Sequence, residues 1–162
     1  MVALPIAVLS LAAVSVSVGI RLAPNDPGQW HQDPLTVQAP ESPNWFRLTP
    51  PGADRSAVVD REGTSPVFDV PVAELETAFD EVATGDGRVT VLAGSAAEGF
   101  VTYVQRSALM GYPDYVSVRF VEVDADRSTL AIMSRARYGS GDLGVNEKRV
   151  RRWMHETQDL LN

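Results

Sequence analysis

Hydrophobic and polar positions change their rhythm several times along this chain. Residues 2–20 carry no charged side chain. From residue 22 to about 70 no period holds, and nine of the eleven prolines fall between Pro24 and Pro71. Beyond it Val72, Leu75, Phe79 and Val82 recur at steps of three and four, which predicts a helix with one apolar face. Proline near its start and Asp69 as a candidate cap mark its opening, and Gly85-Asp-Gly87 marks its end. Four segments rich in β-branched and aromatic residues follow, at about 88–93, 100–106, 115–123 and 129–138. In the third, Val116, Val118 and Phe120 alternate with Ser117 and Arg119, so one face meets a core and the other meets water. The gaps are too short for crossover helices, so neighbouring strands are expected to be antiparallel, with Asp124-Ala-Asp-Arg127 as a tight hairpin. A last helix over about 144–161 presents Val150, Trp153, Met154, Thr157 and Leu161 on one side and Lys148, Arg149, Arg151 and Arg152 in succession on the other.

These elements predict an α+β fold: a four-stranded, mostly antiparallel sheet packed by two helices, preceded by an N-terminal transmembrane helix and a proline-rich arm. The chain divides at 1–21, 22–70 and 71–162. Nineteen helical residues at about 1.5 Å each reach roughly 28 Å, just enough to cross a bilayer's hydrocarbon layer. A cleaved signal peptide and a buried core helix are the alternatives. The run is long for a signal core and lacks both a basic flank ahead of it and a small-x-small cleavage site, which favours an uncleaved anchor. A single pass through the inner membrane with a periplasmic domain is the resulting expectation, although Arg21 pulls the domain towards the cytoplasm. The proline density excludes long helices and central strands from the arm, leaving room for short strands at Val58-Val59 and Val67-Phe68. Trp30, Trp45 and Phe46 either sit at a membrane interface or pin the arm to the domain.

Composition narrows the chemistry. At 162 residues the chain is one domain's worth. Without cysteine it has no disulfide, thiol nucleophile or thiolate metal site. A net charge of −7 argues against nucleic-acid binding. His31-Gln-Asp33 offers metal-type side chains without a second cluster to complete a coordination shell, so no metal or other cofactor is expected. Ser134 lacks a nucleophile-elbow context and would need His155 beside it. No acid and base stand out, so the expectation leans away from an enzyme.

The densest polar stretch is Ser134-Arg-Ala-Arg-Tyr-Gly-Ser-Gly-Asp-Leu-Gly-Val-Asn-Glu-Lys-Arg-Val150. Gly139, Gly141 and Gly144 permit a tight turn, and Asp142 is placed to cap the helix start. Arg135 and Arg137 share one strand face and could pair with Asp142, Glu147 or Asp114, while Asn146 and Arg149, a helical turn apart, look back at the strand end. Two readings follow. One is a polar joint that locks helix to sheet. The other is a binding site for a small anion at Arg135, Arg137, Asp142, Asn146 and Arg149, with Asp142 counting against it because a carboxylate would repel the ligand. Lys148, Arg149, Arg151 and Arg152 are candidates for attraction to anionic lipid or to a partner in a membrane complex.

The same stretch, with Asp114-Tyr-Val-Ser-Val-Arg-Phe before it, resembles the signature of the domain of unknown function 1499 family, Ser-Arg-Ser-x-Arg-x-Gly-x-x-Asp-Leu-Gly-x-Asn-x-x-Arg-Val. Pro40-Glu-Ser-Pro-Asn-Trp45 is similar to that family's Pro-Asp-Ser-Pro-Asn-Cys loop, so the resemblance runs from about residue 40 to the C-terminus. Trp45 stands where cysteine is common, and Tyr115 replaces the second residue of an Asp-Asp pair, which weakens any role built on a thiol or paired carboxylates. The resemblance implies a bacterial or plastid setting and supplies no reaction. The expected function is a non-enzymatic, membrane-anchored accessory or interaction protein of the bacterial envelope; the alternative is a module that binds a small anion.

Overall fold

The computed structural model describes residues 19–20, 23–53, 59–108, 110–139, 141 and 143–162. Its centre is a six-stranded mixed sheet. The strands are β1 (Trp45–Thr49), β2 (Glu62–Thr64), β3 (Val89–Ser95), β4 (Phe100–Arg106), β5 (Pro113–Asp124) and β6 (Arg127–Ala136), in the order β2-β1-β6-β5-β4-β3. A short helix α1 (Pro27–Trp30) precedes the sheet, α2 (Val72–Gly85) lies between β2 and β3, and α3 (Val145–Leu160) ends the fold.

The expected four-stranded sheet is thus corrected to six strands. β3 to β6 form an antiparallel meander. β1 then joins β6 antiparallel, and β2 joins β1 in parallel. The proline argument fails at β1 for a local reason: Pro43, Pro50 and Pro51 flank the strand and none lies within it, so every ladder donor is intact. Val67-Phe68 adds only a single bridge, Phe68 to Ser128, and Val58 lies outside the described residues.

The transmembrane anchor expected over 1–21, with the single-pass inner-membrane location built on it, is corrected as well. Among the described residues no helix is long and apolar enough to cross a membrane. At 14 and 16 residues, α2 and α3 each carry charged side chains, which suits them to a domain surface. Of the apolar run itself only Gly19 and Ile20 are described, and the remainder lies outside the described residues.

Both long helices cover one face of the sheet. Leu75, Phe79 and Ala83 from α2 and Val150, Trp153 and Met154 from α3 meet Val101 and Tyr103 of β4, Val116, Val118 and Phe120 of β5, and Leu130 and Ile132 of β6. Phe79 sits in the middle, its ring 5.8 Å from Phe120, 6.0 Å from Trp153 and 6.4 Å from Tyr103. Each Val, Leu, Ile, Phe or Met side chain among them contributes about 1.5–3 kcal/mol on burial. At the start of α2 the cap position is Pro71 and no side chain caps it, so Asp69 does not take the expected role.

The opposite face, expected to meet water, is covered by the arm. Ser117 is buried and Arg119 is half-buried beneath residues 30–33. Alternation along β5 therefore separates two packed interfaces, and the polar side chains of one serve to hold a polar strap.

Candidate functional site

One end of the helix-covered face is polar. The register aligns Val116 with Ser134 and Gln105 with Asp114, so Gln105, Asp114 and Ser134 stand on three adjacent strands and point towards α3. From α3, Asn146 and Arg149 reach back to them. Arg149, 6% exposed, donates Nη1 to Ser134 Oγ (2.8 Å) and Asn146 Oδ1 (3.0 Å), Nη2 to Asp114 Oδ2 (2.6 Å), and Nε to Gln105 Oε1. Ser134 Oγ donates to Asn146 Oδ1 at 2.6 Å. Asn146 Nδ2 donates to Asn44 O at 3.2 Å, and Asn44 Nδ2 to Gly139 O at 2.7 Å. The loop before β1 and the glycine turn after β6, remote in sequence, are thereby fastened together through Asn44. Gly144 takes φ 75° at the helix start, a conformation in which a side chain is strained. Asp142, part of the expected site, lies outside the described residues.

Arg135 and Arg137 are on the other face, separated from Arg149 by the sheet. They hold the arm. Arg135 donates Nη2 to Trp30 O (3.1 Å) and lies 5.0 Å from the Trp30 ring; Arg137 donates Nη1 to Pro24 O (2.8 Å). The Trp30 indole stacks on Tyr115 at 4.0 Å and 8°. Arg119 pairs with Asp33 at 2.9 Å, and Arg47, in a buried ion pair with Glu62, donates to Val37 O at 2.9 Å. The five expected site residues therefore fall into two pairs, Asn146 with Arg149 and Arg135 with Arg137, on opposite faces of the sheet, plus one outside the described residues.

His31 belongs to the arm too. It stacks on Phe100 at 3.9 Å, and its Nδ1 lies 2.9 Å from Thr102 Oγ1, which is 2.9 Å from Ser117 Oγ. Ser117 donates to Trp30 O, so Ser117 must accept from Thr102 and Thr102 from His31, which fixes the proton on Nδ1. Gly94, at φ 68°, admits this packing: a Cβ there would lie 2.1 Å from Phe100 O and 3.1 Å from His31 Cε1. Burial and Arg119 hold the His31 pKa below its ordinary value, against a smaller opposing pull from Asp33. A lowered pKa favours the neutral ring in the docked arm. Docking is thus strongest above the ordinary value of 6.5 and weakens as pH falls from there through the depressed one. Amide exchange around Trp30 is expected to be faster relative to the core at about pH 5 than at about pH 8; an unchanged ratio would count against it.

Beside the Arg149 joint opens a concavity of about 360 Å3 whose wall includes Arg88, Arg106, Asp114, Lys148, Arg149 and Arg152. Asp114 is tied to Arg149, and Arg152 to Asp86 at 2.6 Å. Arg88, Arg106 and Lys148 bond only to backbone carbonyls, at 3.2, 3.0 and 3.4 Å, with no carboxylate partner among the described residues. The basic run on α3 does not act as one face: Arg149 points inward, Arg151 pairs with Glu147, and Arg152 bridges Asp86 and Glu156. Sequence reasoning missed Arg88 and Arg106, which sit at the ends of strands remote from the motif and bear no pattern of their own. A larger cleft of about 560 Å3 lies between α2 and β3. There Asp80 accepts from Tyr103 Oη at 2.6 Å, and burial pushes the Glu76 carboxyl above its ordinary pKa. Ser134 has Asn146 and Arg149 beside it, while His155 is exposed and paired with Asp159.

The motif residues that converge on Ser134 and Arg149 belong to a wider pattern. A family model described as "Protein of unknown function (DUF1499)" matches residues 36–156. Comparison with curated proteins gives no match. Among solved structures, the "di-domain ARO/CYC BexL from the BE-7585A biosynthetic pathway" is similar at 13% identity and a TM-score of 0.43, covering 59% of this chain and 44% of that one. The present chain thus corresponds to less than half of that protein, and the likeness carries no argument.

Proposed function

The chain belongs to the DUF1499 family, and on that footing we propose that its domain is a non-enzymatic binding module for a small anion of the phosphate or carboxylate class. The observation that carries this reading is the basic concavity: Arg88, Arg106 and Lys148 line it without carboxylate partners among the described residues, in a chain of net charge −7. Holding like charges together is unfavourable, and an anion between them relieves that repulsion. Arg149 forms the inner wall and gives four hydrogen bonds to Gln105, Ser134, Asn146 and Asp114, so its part is to hold the wall in place. Binding fits better than turnover, because the one carboxylate among the lining residues, Asp114, is engaged by Arg149.

Calorimetric titration with pyrophosphate tests it. Arg106→Ala and Lys148→Ala are each expected to weaken binding by about tenfold, the worth of one charge-assisted hydrogen bond. Binding is also expected to fall with added salt, since the site is open to solvent. Absence of binding, or affinity indifferent to both substitutions, would sink the reading. Vesicles containing phosphatidylglycerol distinguish the source of the anion: competition with pyrophosphate indicates a headgroup, and none indicates a free ion.

A further inference from the structure

Beneath the arm, Arg135 and Arg137 bond only to uncharged oxygens. Arg135 donates to Trp30 O (3.1 Å), Gln32 Oε1 (3.3 Å) and Gln29 O (3.4 Å), and Arg137 to Pro24 O (2.8 Å) and Tyr115 Oη (3.4 Å). No carboxylate among the described residues pairs with either. Burial holds the Arg135 guanidinium below its ordinary pKa, the effect of desolvating a charge without an opposite one nearby. The indole of Trp30 fills a slot that Tyr115 and Arg135, cross-strand neighbours, line together: it stacks on the tyrosine ring at 4.0 Å and lies 5.0 Å from the guanidinium. That indole is an imperfect occupant: its Nε1 is buried with no hydrogen-bond partner among the described residues, an unfavourable position for a donor.

We propose that Tyr115, Arg135 and Arg137 form a binding site for a planar aromatic anion, which Trp30 and the carbonyls of Pro24, Gln29 and Trp30 occupy from within the chain. The ring of such a ligand takes the place of the indole, stacked on the tyrosine beside the guanidinium. Its carboxylate takes the place of the carbonyl oxygens and answers the arginines with charge, which a planar guanidinium receives in forked geometry. Tyr115, Arg135 and Arg137 lie within the family match, which begins at residue 36, whereas the occupant lies before it. The site therefore belongs to the domain and its plug to the preceding arm. Because the ligand must displace the arm, its apparent affinity is reduced by the fraction of molecules in which the arm is open. This site is on the opposite face from the basic concavity and rests on separate observations.

The test is calorimetric titration of the full chain and its Trp30→Ala variant with indole-3-carboxylate. Trp30→Ala, which empties the slot, is expected to bind at least about tenfold more tightly than the natural sequence. Adding Arg135→Gln to Trp30→Ala should abolish that gain. The proposal is overturned if Trp30→Ala binds no better than the natural chain. It is overturned equally if 3-methylindole, which has the ring without the charge, binds Trp30→Ala as tightly as the carboxylate does. Should Trp30→Ala fail to fold, Asp33→Asn loosens the arm at Arg119 and leaves the slot's own residues intact. The expected gain is then about threefold, and no gain overturns the proposal.

Discussion

Arg149→Leu is expected to lower the unfolding free energy by about 3–5 kcal/mol, the usual cost of removing one partner from a buried ionic cluster. The loss comes from what remains. Asp114 keeps its charge at a site where the side chain is 17% exposed, and Gln105, Ser134 and Asn146 lose the donor they share. Urea denaturation at unchanged slope is the measurement, since the substitution alters the native joint and leaves the extent of unfolding the same. Arg149→Lys should recover little, because an ammonium cannot address acceptors in three directions of one plane. Adding Asp114→Leu to Arg149→Leu should restore part of the loss by removing a carboxylate that Arg149 no longer balances. A loss below about 1 kcal/mol for Arg149→Leu would mean that the joint does not tie helix to sheet.

Trp153→Ala should cost a similar amount, about 3–5 kcal/mol, by a different route. Trp153 is fully buried and packs edge-on against Phe79 and Tyr103, both at 6.0 Å. Truncation leaves a cavity in the layer between α3 and the sheet that these two aromatic neighbours cannot collapse into. The indole Nε1 lies 3.4 Å from Asp86 Oδ2, which also takes Gln105 and Arg152, so that carboxylate keeps better partners. The loss is therefore one of packing, and Trp153→Phe should recover more than half of it. Equal destabilisation by phenylalanine and alanine would assign the effect to the Asp86 contact instead.

Local rules made β3 to β6 and both long helices legible, because each depends on neighbours close in sequence. Val72, Leu75 and Phe79 declare a helix face, and the alternation at Val116, Val118 and Phe120 declares a strand, wherever those elements end up. The position of β1 was not legible. Trp45–Thr49 is five buried residues without alternation, the appearance of a strand covered on both sides, and the surrounding prolines hid it. At the polar joint the sequence named Ser134, Asn146 and Arg149, but it did not name Gln105 and matched Asp114 with Arg135 or Arg137 instead of Arg149, because both roles follow from strand register. For Arg135 and Arg137 the period of two was read correctly as one shared face. Which face it was depended on the arm, a segment with no periodicity to interpret. Among the described residues no helix can cross a membrane, so the location inferred from the apolar run at residues 2–20 did not follow.

The pairing of β1 with β6 also sets an order of events. Asn44 and Asn146 are joined across 102 residues, so Asn44 meets this partner only after that length of chain has been made. The β3 to β6 meander closes short loops and can form quickly; β1, β2 and the arm must wait and close long ones. During that interval β6 exposes an unpaired edge with Ile132 and Met133 along it, which is the kind of surface through which nascent chains associate. Substitutions at Phe46 or Leu48 are therefore expected to reduce the yield of native protein by more than their equilibrium cost, because they prolong the time that edge stays open.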